Sequence, residues 1–397
     1  MVKNNGMEIK RNSRLRAWTE IREENLAWNL ECLREMLPPG SQIMAVVKAN
    51  GYGHGAVETS RILEKCGTEA FAVATLTEGI ELRNGGIQGK ILILGYTPPE
   101  NWKELAEYGL IQTIVDRAYG LELNRRAGVR LPVHLKVDTG MNRMGISWQD
   151  REGILEMFRL SRLQVEGIFS HLCAADGTGA EDQEYTRLQI SRFRQTEQWV
   201  RSLGYRQICS HLQSSYGIIH YPEAGGSYAR AGIVLYGVLS SSDEELKKRL
   251  GIRPVLSLRA RVASVKEICP GDFVGYGRSY QAEKRMRIAG LTIGYADGLP
   301  RSLKGGSVLI RGKRCRIIGR ICMDQCTVEA EAVPDIMAGD VATVIGSDGA
   351  EQITAEEVAE QSGTITNELL SRLGSRLTGA AEQRIPISLS CFKVSVL

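Results

Sequence analysis

The chain has 397 residues, 43% of them hydrophobic and 24% charged, with a net charge of +4. That is room for two domains and a sizeable core, and so small and scattered a positive balance argues against a nucleic-acid partner. Nine cysteines with no CxxC pair read as reduced thiols in a cytosolic setting, and no apolar run reaches the about 18 residues that a membrane span needs.

In chain order, residues 1–15 are polar and read as a loose leader. Ala17, Thr19 and Ile21 alternate like a half-buried strand. A helix follows, with Leu26, Leu30, Leu33 and Leu37 at helical spacing, ended by Pro38-Pro39-Gly40. A strand-then-helix rhythm then sets in. Near-continuous apolar strands are predicted at Ile43–Val47, Ala70–Ala74, Ile91–Leu94, Thr113–Val115, Val133–Val137, Val165–Phe169 and Gln207–Ser210, with a weaker eighth at Ser227–Arg230. Eight strands alternating with helices predict a (β/α)8 barrel over residues 16–250. A doubly wound sheet competes, but no GxGxxG follows the first strand. The alternating stretch 17–21 is one strand too many and is assigned to the second domain.

Residues 251–397 have a different texture. Short β-prone runs such as Val255–Val265, Arg287–Ile293 and Val341–Ile345 are separated by turns such as Pro270-Gly271-Asp272. They predict a mostly antiparallel β domain. Two helices close it, Thr354–Gln361 with a capping-box Glu357 and about Asn367–Leu373.

The stretch AVVKANGYGHG (45–55) carries the first chemical signal. A buried strand delivers Lys48 into a glycine-bearing turn, where desolvation lowers an amine's pKa as carbonyl chemistry needs. A surface lysine at a strand end is the other reading. In a barrel the acting residues sit at the carboxyl ends of the strands. Those ends offer Lys48, Lys136, His171, His211 and Arg230, a cation-rich set, although each histidine alone also suits plain packing. Phosphate is expected after strands seven and eight, where Ser214-Ser215 and Ala231-Gly232-Ile233 stand; a serine-rich turn is the alternative.

Seven segments in order carry a resemblance. AVVKANGYGHG, HLKVDTGMNRMG (134–145), GIFSHLCAAD (167–176), YARAGIVLYG (228–237), VGYGRSY (274–280), IGYADG (293–298) and GRICMDQ (319–325) are similar to the bacterial alanine racemase family. The resemblance covers roughly residues 15 to 380. It implies a pyridoxal-phosphate enzyme of barrel and β domain, acting as a homodimer with shared sites. By position it implies that Lys48 holds the cofactor and that Tyr52, Ser215, Gly232 and Ile233 bind its phosphate. His171 would pack on the ring, and His211 would orient Arg230 towards the ring nitrogen. Racemisation needs a base on each face of Cα, and the resemblance gives these roles to Lys48 and to Tyr276 of a partner copy. Arg143, Met323 and Tyr295 would meet the substrate, and Lys136 matches a lysine carbamylated in many members.

The chain departs from the family pattern at four places. Asn142 stands for glycine, Ser214 for asparagine, Ala231 for proline, and Asn367, in GTITNELLSRLG (363–374), for tyrosine. The last resembles serine-racemising members of the vancomycin-resistance type, which carry a membrane domain; this chain shows no such segment. The expected function is therefore a racemase of alanine, serine or both, acting in the cytoplasm and supplying D-amino acids to peptidoglycan. Two alternatives stay open here: a pyridoxal-phosphate decarboxylase on the same barrel, and a non-catalytic cofactor-binding protein.

Overall fold

A computed structural model describes residues 15–303 and 305–381. The predicted leader lies outside the described residues except for Leu15. Contacts divide the chain into two units. One holds Asn29–Tyr236 and Lys248–Ile252; the other holds the residues up to Trp28, Gly237–Lys247 and everything from Arg253 on. The second unit thus draws on three stretches of chain.

After β1 (Ala17–Ile21), which belongs to the second unit, come β2 (Gln42–Val46), β3 (Ala70–Val73), β4 (Lys90–Ile93), β5 (Ile111–Ile114) and β6 (Leu131–Asp138). The two-residue β7 (Ile146–Ser147) pairs onto the end of β6. Then follow β8 (Leu163–Phe169), β9 (Cys209–His211) and β10 (Tyr228–Ala231). All are parallel, and β10 pairs with β2, closing an eight-stranded barrel in which β7 is only an appendage. The strands are apolar throughout because helices cover them outside and side chains fill them inside: Phe71, Ile91, Leu92 and Ile93 are all fully buried. The outer helices begin where short polar side chains cap them. Thr75 with Glu78 starts Leu76–Asn84, and Asp116 starts Arg117–Arg126.

The seventh barrel strand begins two residues later than its apolar pattern predicts. Gly167, Ile168 and Phe169 pair with Cys209, Ser210 and His211, so the ladder runs on to the histidine, while Gln207 stays exposed.

The second unit adds β11 (Leu256–Ile268), β12 (Phe273–Val274), β13 (Tyr280–Gln281), β14 (Met286–Leu291), β15 (Ser307–Ile310), β16 (Lys313–Ile318), β17 (Cys326–Glu329), β18 (Val341–Asp348), β19 (Glu351–Ile353) and β20 (Thr378–Ala381). β11, β14, β17, β16, β15 and β18 pair antiparallel in that order, and β18 returns to β11. β1 lies beside β11 antiparallel and beside β20 parallel. Thr354 caps the helix Ala355–Gln361 through the Glu357 N–H, but only half of the expected capping box forms. The Glu357 carboxylate turns instead to Arg314, at 2.7 Å. Among the described residues no helix is long and apolar enough to cross a membrane.

Candidate active site

Lys48 follows β2 directly. The Val47 N–H still donates to the β3 ladder, at Ala72 O, 2.9 Å away. The chain then turns left-handed, with φ of 52°, 53°, 62° and 51° at Ala49, Asn50, Gly51 and Tyr52. Glycine explains Gly51 and asparagine tolerates the angle at Asn50; Ala49 and Tyr52 are strained, at about 1–2 kcal/mol each. Three side chains that the sequence did not single out hold them. Glu78 accepts the Ala49 N–H on one oxygen and the Ala74 N–H on the other, each at 2.7 Å. Buried His54 donates from Nδ1 to Tyr52 O at 2.9 Å, and its ring lies 4.4 Å from that of Tyr236. Tyr236 donates to Val46 O at 3.0 Å. So clamped, Lys48 is half-buried, and burial first, then the charges of Arg143 and Arg230, lower its pKa. A larger fraction is the neutral, nucleophilic amine.

Arg230, on β10, is 3% exposed and is the hub of the site. Nη1 donates to His211 Nδ1 at 2.6 Å and to His211 O at 3.0 Å. Nη2 donates to the Ser170 and Leu212 carbonyls at 2.7 and 2.9 Å and to His171 Nδ1 at 3.1 Å. Burial lowers its pKa to about 9, so it is a cation at neutral pH. Phe169 stacks on His211, rings 4.6 Å apart, and both Arg230 and Lys136 lie 5.3 Å from the Phe169 ring. Burial and Arg230 push His171 and His211 well below the usual imidazole range. Lys136 is 4% exposed, and burial, with Arg230 next, brings it down to about 7.

A second cluster joins the starts of two later segments. Ser215 opens the helix Ser215–His220, and its Oγ accepts the Gly232 N–H at 3.0 Å. A side chain at Gly232 would begin 3.1 Å from Tyr52 Oη and 3.6 Å from Ser215 Oγ. Two hydroxyls and a backbone amide therefore converge on a hollow that glycine leaves open, which suits phosphate oxygens. Burial pushes the Tyr52 phenol up to about 12, so it stays a donor. Ile233 is buried at the head of the turn Ile233–Tyr236. Arg143 is exposed on the loop after β6, next to Asn142, whose φ of 55° is a conformation asparagine tolerates better than most non-glycine residues. That accounts for asparagine in a glycine position.

The remaining residues that the sequence singled out lie in the second unit. Gly275 and Gly277, with φ of 76° and 72°, turn the backbone on either side of Tyr276, which is 69% exposed. Tyr276 and Met323 line one hollow of 480 Å³ with Cys322, Asp324 and Gln325. Tyr295 attaches next to it, its N–H donating to Cys322 O at 3.0 Å. Its turn is fixed by fully buried Asp297, which accepts from Gly294 N–H and from Arg16, both at 3.0 Å. Asn367 is on the helix Thr366–Ser371; its Oδ1 is buried without a hydrogen-bond partner among the described residues.

A closed parallel barrel brings a desolvated lysine and a captive arginine to its strand ends, an arrangement that suits a carbonyl cofactor. Residues 21–240 match the family described as alanine racemase, N-terminal domain, and residues 255–380 match alanine racemase, C-terminal domain. The chain belongs to the alanine racemase family. An amino-acid racemase of Enterococcus faecalis is 43% identical over 91% of this chain and 51% of its own length. A serine/alanine racemase of Enterococcus gallinarum is 38% identical, again over 91% and 51%. The chain thus spans about half the length of these relatives. The solved alanine racemase of Clostridium difficile 630 superposes with a TM-score of 0.86 at 35% identity, over 92% of this chain and 95% of that one.

Proposed function

We propose that the chain is a pyridoxal-phosphate-dependent isomerase that interconverts the L and D forms of alanine, serine or both. Its products would serve peptidoglycan synthesis. The observation that carries this reading is Lys48, its pKa lowered chiefly by burial, clamped at a barrel strand end beside the fixed cation Arg230. The cofactor, when bound, supplies a conjugated ring that takes up the charge left on Cα.

The chain's own residues do the rest. Lys48 holds the cofactor's carbonyl carbon and moves a proton on one face of Cα. Tyr52, Ser215 and the Gly232 and Ile233 amides bind the phosphate. His171 flanks the ring. Arg230 can donate but never accept, so it keeps the ring nitrogen unprotonated and limits charge uptake, which favours returning the proton over side reactions. Arg143 and the Met323 amide hold the substrate carboxylate, with Tyr295 at the entrance. Lys136, uncharged in part at neutral pH, is suited to carbamylation, which would make it an anion steadying Arg143.

Tyr276 is the base for the opposite face, given by a second copy. Support comes from three large apolar side chains turned outward on the second unit: Tyr276, Met323 and Tyr295, 69%, 52% and 41% exposed. A homodimer would cover them. Asn367 and the likeness to the Enterococcus gallinarum serine/alanine racemase support serine as a substrate, in the manner of vancomycin-resistance racemases. The proposed compartment is the cytoplasm, for this chain alone or as the cytoplasmic part of a longer protein.

Chiral chromatography of L-alanine and L-serine after incubation with the holoenzyme tests the reading. The D-isomer is expected. An amine would mark a decarboxylase, and untouched substrate a carrier. Borohydride reduction should place the pyridoxyl label on Lys48, and a label elsewhere would refute its role.

A further inference from the structure

We infer that His134 is a positioning residue for Arg230, acting through His211, and that Cys209 ends a one-directional hydrogen-bonded line through the barrel interior. The parallel register builds it. His134, Gly167 and Cys209 form one row across β6, β8 and β9, and Lys136, Phe169 and His211 form the next. Gly167 has no side chain to separate its row neighbours. A Cβ there would stand 2.5 Å from Cys209 Sγ and 2.8 Å from His134 Nε2. Across that gap Sγ and Nε2 come within 3.5 Å. His134 Nδ1 lies 2.9 Å from His211 Nε2, and His211 Nδ1 lies 2.6 Å from Arg230 Nη1.

The cationic end sets the direction. A guanidinium has donors only, so His211 Nδ1 must present its lone pair to Arg230. The His211 proton then sits on Nε2 and donates to His134 Nδ1. The His134 proton in turn sits on Nε2 and faces the Cys209 sulfur. Both rings are buried, at 3% and 0% exposure, and burial keeps both neutral, so each carries one proton. The opposite tautomer of His134 would set N–H against N–H at His211. Were His211 to follow, the same conflict would arise at Arg230. Three bonds pointing one way also polarise one another. The far end is open: His134 and Cys209 line a cavity of 670 Å³ with Lys90, Glu166 and Tyr228.

Only the kinetic arm of the test rests on the racemase reading. Long-range 1H–15N spectra of the histidine rings in the holoenzyme should show Nε2 protonated and Nδ1 bare at both His134 and His211. The other tautomer at either ring overturns the inference. His134→Phe removes the acceptor while Arg230 still sets the tautomer, so the His211 Nε2–H should lose its hydrogen-bonded proton shift, and kcat should fall about tenfold while KM moves less than about twofold. His134→Gln, whose carbonyl can accept from His211, should restore the hydrogen-bonded Nε2–H shift and most of kcat. Native kcat in His134→Phe, or a fallen kcat with the His211 Nε2–H shift unmoved in that variant, overturns it. Should the phenylalanine variant not fold, the native spectrum and the glutamine variant decide alone. A chain that racemises nothing would still give the spectra, so the failures of the two readings are distinguishable.

Discussion

Lys136 shows how one buried group ties stability to pH. Its pKa falls to about 7 on folding, chiefly by burial, against about 10.4 for a free lysine. Between those values the unfolded chain binds more protons than the folded one, so the Lys136 contribution makes stability rise with pH across that window and is lost as pH falls through 7. In bicarbonate-free buffer, the urea midpoint of the native protein should gain on that of Lys136→Met as pH goes from about 7 to about 10. Parallel midpoints would mean that Lys136 is not held as a buried amine without a carboxylate partner. Asn367 makes a second case at this scale. Its buried Oδ1 lacks a partner among the described residues, a cost that a substrate hydroxyl would relieve. Asn367→Tyr should lower the serine-to-alanine ratio of kcat/KM by about tenfold, and an unchanged ratio in a folded, cofactor-loaded variant would make Asn367 structural.

At the scale of elements, what the sequence made legible was what run length and periodicity record. The barrel strands show as apolar runs, and their carboxyl ends gave Lys48, Lys136, His171, His211 and Arg230. The clamp on the Lys48 turn was not legible, because Glu78 sits on the helix after β3, 29 residues beyond Ala49, and periodicity does not record that contact. The same holds for His134: its meeting with Cys209 depends on the register of three strands and on the missing side chain of Gly167. Asp297 was visible in its motif, but its partner Arg16 lies at the other end of the sequence. The turn after β2 carries its own prediction. Glu78 also accepts the Thr75 N–H at 3.2 Å, so Glu78→Ala strips acceptors from three amides and should cost about 1–3 kcal/mol. Amide exchange at Ala49 and Asn50 should quicken in that variant, and unchanged exchange would show the left-handed turn to be held without Glu78.

At the scale of the whole molecule the site residues fall into two groups, one in the barrel unit and one in the β unit. The dimer proposal makes a specific complementation test. Tyr276→Phe should suppress racemisation and spare cofactor binding, since it removes a base on one face alone. Mixed with inactive Lys48→Ala chains, it should regain activity, because a mixed dimer would hold one site with both bases intact. Verified mixed dimers with no recovery would place both bases in one chain.

The division of the chain also sets an order of birth. β1 pairs from Ala17 to Ala260 on β11 and from Trp18 to Thr378 on β20. On a ribosome adding about 5–20 residues per second, β1 emerges on the order of ten seconds or more before β11 exists. Trp18 and Ile21, buried in the finished protein, face water or a chaperone during that wait. The eight barrel strands lie between Gln42 and Ala231 and their unit is complete by Ile252, so the barrel can close while β1 is still waiting. Nascent chains stalled far enough on for residues up to Ile252 to have left the ribosome should therefore carry a protease-resistant barrel behind a protease-sensitive N-terminal strand.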